Sequence, residues 1–329
     1  QWLALKATGK QEVRIYTADL DEADVFSLTD FSEKGQSWIK YPQGIAYMLK
    51  EDAWPLTGWD GLLMGDLPLG AGLSSSAALD MVTARAFSLT GGFAWDVRQM
   101  ARMAQRTENQ WVGINSGIMD QLISGAGEAG KALLIDCRTL NYTSYSLPEG
   151  TVIVVMDSMV KHSLVASAYN ERREQCMEGA QAFGKQVLRD VSLEEFENGK
   201  AALSDVVQRR CRHVLSENLR TLAAAKAMEA NDPVHLGELM NASHASLRDD
   251  FEVSCTELDI LAEQAQREYS CYGARMTGGG FGGSAIALVQ AEEAGAFIQN
   301  MLARYEKETG IRSNMFVTDA TRGTSVEYP

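Results

Sequence analysis

The period of hydrophobic and polar positions changes several times along the chain, and each change marks a predicted element. At the N-terminus Leu3 and Leu5 alternate with other residues, Gly9-Lys10 supplies a turn, and Val13 and Ile15 alternate again, which predicts a β-hairpin. Residues 36–52, opening Gln36-Ser37-Trp38-Ile39-Lys40-Tyr41, predict an amphipathic helix carrying two aromatics. The apolar run Gly61-Leu62-Leu63-Met64 reads as a short buried strand. After it Ala77, Ala78, Met81, Val82, Ala84 and Phe87 recur at helical spacing. A further helix is predicted near 94–110, with Val97, Met100 and Met103 on one face. Strands near 131–136 and 151–157 flank a polar stretch that ends in Pro148-Glu149-Gly150. A domain boundary is placed there, giving units 1–148 and 149–329. The second half opens with Val152-Ile153-Val154-Val155-Met156 and becomes helix-rich and charged from Glu171 to about Glu268. Those charges read as solvated helix faces. Near the end Gly278-Gly279-Gly280-Phe281-Gly282-Gly283 leads into a strand over Ala285–Val289.

Candidate chemistry begins between the strand at 61–64 and the helix that follows, at Gly70-Ala71-Gly72-Leu73-Ser74-Ser75-Ser76-Ala77-Ala78. A strand, a glycine-rich turn and a serine-opened helix put backbone N–H groups and a positive dipole end at one point, which can bind phosphate without a basic side chain. Gly70 and Gly72 let the main chain approach a ligand, and Ser74 to Ser76 supply an N-cap and hydroxyls. No Gly-Lys-Ser/Thr follows, so this is not a Walker A loop. The pattern alone is equally that of an ordinary strand-to-helix turn with a serine cap.

Composition narrows the partners. The chain has 329 residues, enough for two domains, and 45% hydrophobic with 22% charged content is that of a globular protein. A net charge of −14 argues against nucleic acid or an anionic membrane as partner. A polyphosphate would then be held by backbone amides, a helix end and a divalent metal. Cys137, Cys176, Cys211, Cys255 and Cys271 lie far apart with no CxxC pair, as expected of reduced thiols in a cytoplasmic protein. The histidines His162, His213, His235 and His244 lack metal-ligand spacing. The apolar runs, such as Val152 to Met156, are too short to span a bilayer.

Three separated segments form one pattern: Pro68 to Ala78, Gly117 to Gln121, and Thr277 to Gly283. Together they resemble the GHMP small-molecule kinases and, within that superfamily, the galactokinases. Pro68-Leu69-Gly70-Ala71-Gly72-Leu73-Ser74-Ser75-Ser76-Ala77 looks like the second motif of the superfamily, and Met276 to Gly283 like its third. Gly117-Ile118-Met119-Asp120-Gln121, Lys161-His162-Ser163-Leu164, Tyr169 to Cys176 and Ser246 to Cys255 look like galactokinase. The resemblance runs from about residue 36 to about 290. It implies an α+β, two-domain GHMP kinase fold, with an N-terminal ribosomal-protein-S5-like α/β domain and a C-terminal ferredoxin-like α+β domain. It also implies a monomer that uses ATP and Mg²⁺ to convert D-galactose to α-D-galactose 1-phosphate.

Site residues follow from the same match. Asp120, at the first turn of a short predicted helix whose positive end favours a charged carboxylate, matches the aspartate that activates the anomeric hydroxyl of the sugar. Glu108 and the Ser76 hydroxyl match the Mg²⁺ ligands; hard oxygen donors, few in number, are what Mg²⁺ accepts. Gly70, Ala71, Gly72, Leu73, Ser74, Ser75 and Ser76 would carry the ATP phosphates, and Trp38 and Tyr41 would lie near the base. Gly117, Asp120 and Tyr169 would line the galactose pocket. His162 and the glycines from Gly278 to Gly283 would support the phosphate loop. On bottom-up grounds alone each has an ordinary alternative: a capping aspartate, a surface glutamate, core aromatics.

Two departures qualify the match. Ser116 stands where many relatives carry Cys, a change of little consequence. The first motif of the family, which reads like Gly-Arg-(Val/Ile)-Asn-Leu-Ile-Gly-Glu-His-Thr-Asp-Tyr, has no counterpart in residues 1–35. The expectation is that roughly forty further N-terminal residues complete the native domain, and that this chain alone has weak or no turnover. A crippled kinase is the competing reading. A kinase for another sugar, such as N-acetylgalactosamine, and a regulator that binds galactose and ATP without turnover are the functional alternatives. The unbroken Ser74-Ser75-Ser76-Ala77-Ala78 favours an enzyme over a regulator.

Overall fold

The computed structural model of the protein describes residues 1–32, 35, 37–67, 73–161 and 165–328. Its first sheet contains β1 (Trp2–Ala7), β2 (Glu12–Thr17), β3 (Glu22–Ser27) and β4 (Trp59–Met64), in the order β1-β4-β2-β3. The predicted N-terminal hairpin is thereby corrected. β4 enters between β1 and β2, antiparallel to the first and parallel to the second, and the hairpin is β2 with β3. Alternation assigns faces to a strand but does not choose its partner; burial of Trp59 and Leu63 draws β4 to the middle of the sheet.

Four helices follow: α1 (Lys40–Glu51), α2 (Ser75–Gly91), α3 (Val97–Arg106) and α4 (Met119–Ala126). Ile45 and Leu49 of α1, Phe87 of α2 and Met100 of α3 meet Ile15 and Trp59 of the sheet in one buried cluster. The predicted 94–110 helix begins at the Asp96 cap, whose carboxylate accepts from the Gln99 N–H, and then widens to π spacing over Thr107–Val112. Such π turns recur at functional sites because they re-aim side chains out of helical register.

β5 (Lys131–Ile135) pairs with β6 (Tyr142–Ser146), a strand inside the stretch read above as merely polar. Its Tyr, Thr and Ser residues hide the apolar signal while keeping β propensity through Tyr and Thr. The second half comprises β7 (Thr151–Lys161), α5 (Val165–Ala182), α6 (Leu193–Gly199), α7 (Asp205–Glu229), α8 (Pro233–Ser246), α9 (Thr256–Gln266), β8 (Cys271–Met276), β9 (Gly282–Gln290), α10 (Ala294–Thr309) and β10 (Asn314–Thr318). Its antiparallel sheet runs β10-β7-β9-β8. Val154, Met156, Ala285, Ala287 and Val289 are buried in it with Phe297 and Met301 of α10.

Not every charge in the helical region is solvated. Arg210 of α7 is 2% exposed and donates to Gln175, to the Asp250 carbonyl and to Glu252. A guanidinium tolerates such burial because several acceptors replace its water. The C-terminal stretch returns to the first half: the Gly323 N–H donates to the Gly127 carbonyl (2.7 Å) and the Thr324 N–H to that of Ser124 (3.0 Å). Among the described residues no helix is long and apolar enough to cross a membrane.

Candidate active site

The site is assembled from both halves of the chain. Asp120 is the second residue of α4 and half-buried, with its carboxylate in the first turn, where free N–H groups favour negative charge. The loop before it is braced. Asn109 Oδ1 accepts from the Ser116 N–H (2.8 Å), Gln105 donates to the Ser116 carbonyl (3.1 Å), and the Glu108 carbonyl accepts from the N–H groups of Gly113 and Ile114. Beside Asp120, a side chain at Gly117 would meet only open space.

Tyr169 of α5, 38% exposed, faces this loop. Burial raises its phenol above the usual range, Arg173 opposes that rise, and the charge of Asp120 adds to it. Asn115 donates to Asn170 (3.3 Å), tying the loop to the same helix. The Tyr169 ring also stands 4.0 Å from where a Cβ on Gly279 would lie. Three segments widely separated in sequence therefore converge.

The glycine hairpin is pinned from below. The Phe281 N–H donates to the Val253 carbonyl (2.7 Å), and that of Thr277 to the Ser284 carbonyl (3.0 Å). Gly280 has φ +81°, and a Cβ there would sit 2.1 Å from the Val253 carbonyl oxygen, so only glycine fits. The Val253 segment is in turn clamped to α5, because Arg172 donates to the Phe251 carbonyl (2.7 Å) and the Glu252 carbonyl (3.0 Å). These links join the helix of Tyr169 to the glycine hairpin through one backbone segment.

The start of α2 carries the candidate phosphate-binding serines. Ser74 holds the N-cap position with φ +58° and makes no side-chain cap, unlike the cap expected from its residue type. Ser75 and Ser76 open the helix and Leu73 precedes it, all half-buried. Gly70, Ala71, Gly72 and His162 lie outside the described residues. Glu108, 4% exposed within the π turn, makes no side-chain hydrogen bond or ion pair among the described residues. Asp80 of α2, 0% exposed, has both carboxylate oxygens unpartnered. Burial and then the charge of Glu108 raise the Asp80 carboxyl well above its usual range. Tyr41 of α1 adjoins the pair: its phenol is pushed up to about 12 by burial, Glu108 and Asp80 in that order. Trp38 is held by a hydrogen bond to Glu22 (2.9 Å).

The donor set suits a hard cation. A buried carboxylate without a protein counter-charge and a hydroxyl at the helix start are oxygen ligands of the kind Mg²⁺ accepts. No group of three or more His, Cys, Asp or Glu poised for a metal occurs among the described residues, so phosphate oxygens and water would complete any shell. The apolar periodicity of α2 does not single out Asp80. A charged residue between the buried Ala77, Met81 and Ala84 was the available signal.

Comparisons with known proteins identify the family and the fold. The family model "GHMP kinases N terminal domain" matches residues 40–128, and "GHMP kinases C terminal" matches 224–307. A galactokinase of Roseiflexus sp. (strain RS-1) is 41% identical over 316 residues, covering 94% of this chain and 81% of that protein. The crystal structure of Lactococcus lactis galactokinase complexed with galactose superposes with a TM-score of 0.93 at 35% identity, covering 98% of this chain and 86% of that one. Mevalonate kinase of Methanococcus jannaschii shares the fold at 17% identity, with a TM-score of 0.65 over 97% of this chain and 88% of its own.

Proposed function

Because the chain belongs to the galactokinase family, we propose that it transfers the γ-phosphoryl group of ATP to the anomeric hydroxyl of D-galactose, giving α-D-galactose 1-phosphate and ADP. Its fold is the two-domain α+β fold of the GHMP kinases. The observation that supports the site assignment is the convergence of the Asn115–Asp120 segment, the helix of Tyr169 and Gly279: Asn115 donates to Asn170 and the Tyr169 ring abuts Gly279.

In this reading the N–H groups at the start of α2, with Ser74 to Ser76, hold the phosphates of ATP. The Asp120 carboxylate accepts a hydrogen bond from the anomeric hydroxyl, orients its oxygen toward the γ-phosphorus and takes the proton as the new P–O bond forms. Positioning of this kind supplies much of the catalysis when the transition state is loose. Tyr169 hydrogen-bonds the sugar and, with the glycine hairpin, closes the opposite wall. Ser76 and Glu108 would hold Mg²⁺, which when bound neutralises charge on the phosphate oxygens. Trp38 and Tyr41 lie on the adenine side, and the boundary near Pro148 separates the two domains that flank the cleft.

The test is galactose-dependent ADP release with Mg-ATP, by this chain and by a version extended with the first motif of the family. Turnover in either form supports the reading, and Asp120→Asn in the active form should lower it by about 10³-fold while leaving ATP binding near normal. No turnover in either form, with both ligands still bound, would replace the enzyme with a binding protein.

A further inference from the structure

Ser76 and Asp80 stand four residues apart on α2 and so share one face of the helix, with about 5–6 Å between their Cβ atoms. Asp80 is fully buried and neither of its oxygens meets a donor among the described residues, although buried polar groups are nearly always satisfied. The buried hydroxyls of Thr83, on the next stretch of α2, and Thr107, beside Glu108, also lack partners among the described residues. Neither Asp80 nor Glu108 is paired with a lysine, arginine or histidine among the described residues. The helix face thus presents polar groups that the protein itself leaves unmatched, next to the two candidate magnesium ligands.

We propose that Asp80 is a positioning residue for the divalent cation, accepting hydrogen bonds from the water that completes the shell of an ion held by Ser76 and Glu108. The inference rests on the magnesium reading given above. Mg²⁺ releases its water reluctantly and is seldom caged by protein alone, so a carboxylate one helical turn behind a hydroxyl ligand is spaced to hold a bound water. Its burial removes competition from bulk solvent and strengthens that hydrogen bond. The orphaned hydroxyls of Thr83 and Thr107 would extend the same hydration network.

The experiment measures Mn²⁺ binding by electron paramagnetic resonance, with a non-hydrolysable ATP analogue present, for the wild type and for Asp80→Asn. Asp80→Asn should bind Mn²⁺ at least about 10-fold more weakly, as is usual when a partner behind the ligands is lost. Its affinity for the analogue without metal should be unchanged, and its Tm should not fall, because a buried unpartnered charge has been removed. Equal Mn²⁺ affinity in variant and wild type would overturn the proposal, and a lowered Tm alongside it would make Asp80 a structural residue. Failure of the wild type itself to bind Mn²⁺ would instead sink the magnesium reading beneath it. If Asp80→Asn does not fold, Asp80→Ala removes the same charge without adding bulk and is judged by the same ratio.

Discussion

The two halves of the molecule treat acidic groups next to their cores in opposite ways. In the second half the protein supplies the counter-charges: Glu252 takes hydrogen bonds from Arg209 and Arg210, and Glu217 is met by Arg220, Arg275 and Ser243. The arginine pair on Glu252, its hydrogen bond to Arg210 first, holds that carboxyl below its usual range. In the first half Asp80 and Glu108 are more deeply buried and have no such partner among the described residues. A buried charge without a partner is costly, so its persistence points to a ligand. Paired acids hold the scaffold, and unpaired ones, on the function proposed above, face the chemistry.

This contrast can be broken or sharpened by substitution. The largest effect is expected at the unpaired site. Glu108→Gln should cost about a thousandfold in turnover (~4 kcal/mol), since a metal's stabilisation of the transition state is worth several kcal/mol, while the Tm holds because no ion pair is lost. A fall in Tm with activity retained would place Glu108 in the scaffold. Glu252→Ala should do the reverse. It strips Arg210 of the only carboxylate it meets among the described residues and should lower unfolding stability by about 3 kcal/mol, the low end for a broken buried pair because Glu252 is itself 43% exposed. An unchanged midpoint in denaturant would show that the pairing is idle. Tyr169→Phe should be mildest. Losing one hydrogen bond to the sugar is worth about 1 kcal/mol, seen as a several-fold rise in the KM for galactose with that for ATP unchanged. An equal rise in both would remove Tyr169 from the sugar pocket.

Much of the site was legible in the sequence because its parts are short, local motifs. The serine-opened helix after Gly72, the Gly117 to Gln121 turn and the glycine run from Gly278 each announce a backbone conformation by residue type alone. Gly280 illustrates this: glycine is demanded there by a positive φ, although the Val253 carbonyl that it must clear comes from a distant segment. Asp80 illustrates the opposite case. Its residue type gave only a break in an apolar face, and its meaning came from what surrounds it in space. The capping role expected of Ser74 was not realised, because the chain enters α2 through a left-handed residue, whereas a capping side chain needs an extended one.

What the sequence by itself determined is the set of faces and turns: which side of α2 and α3 is apolar, which strands are buried, where the chain must bend. Those follow from side-chain periodicity and local backbone preference, which act over a few residues. The tertiary structure alone decided that β4 separates β1 from β2, that Arg172 clamps Tyr169's helix to the Phe251–Glu252 backbone, and that the buried Asp80 lies within electrostatic reach of Glu108. Partners so far apart in the chain are chosen by packing and by the satisfaction of buried polar groups, and neither leaves a local imprint on the residues that meet.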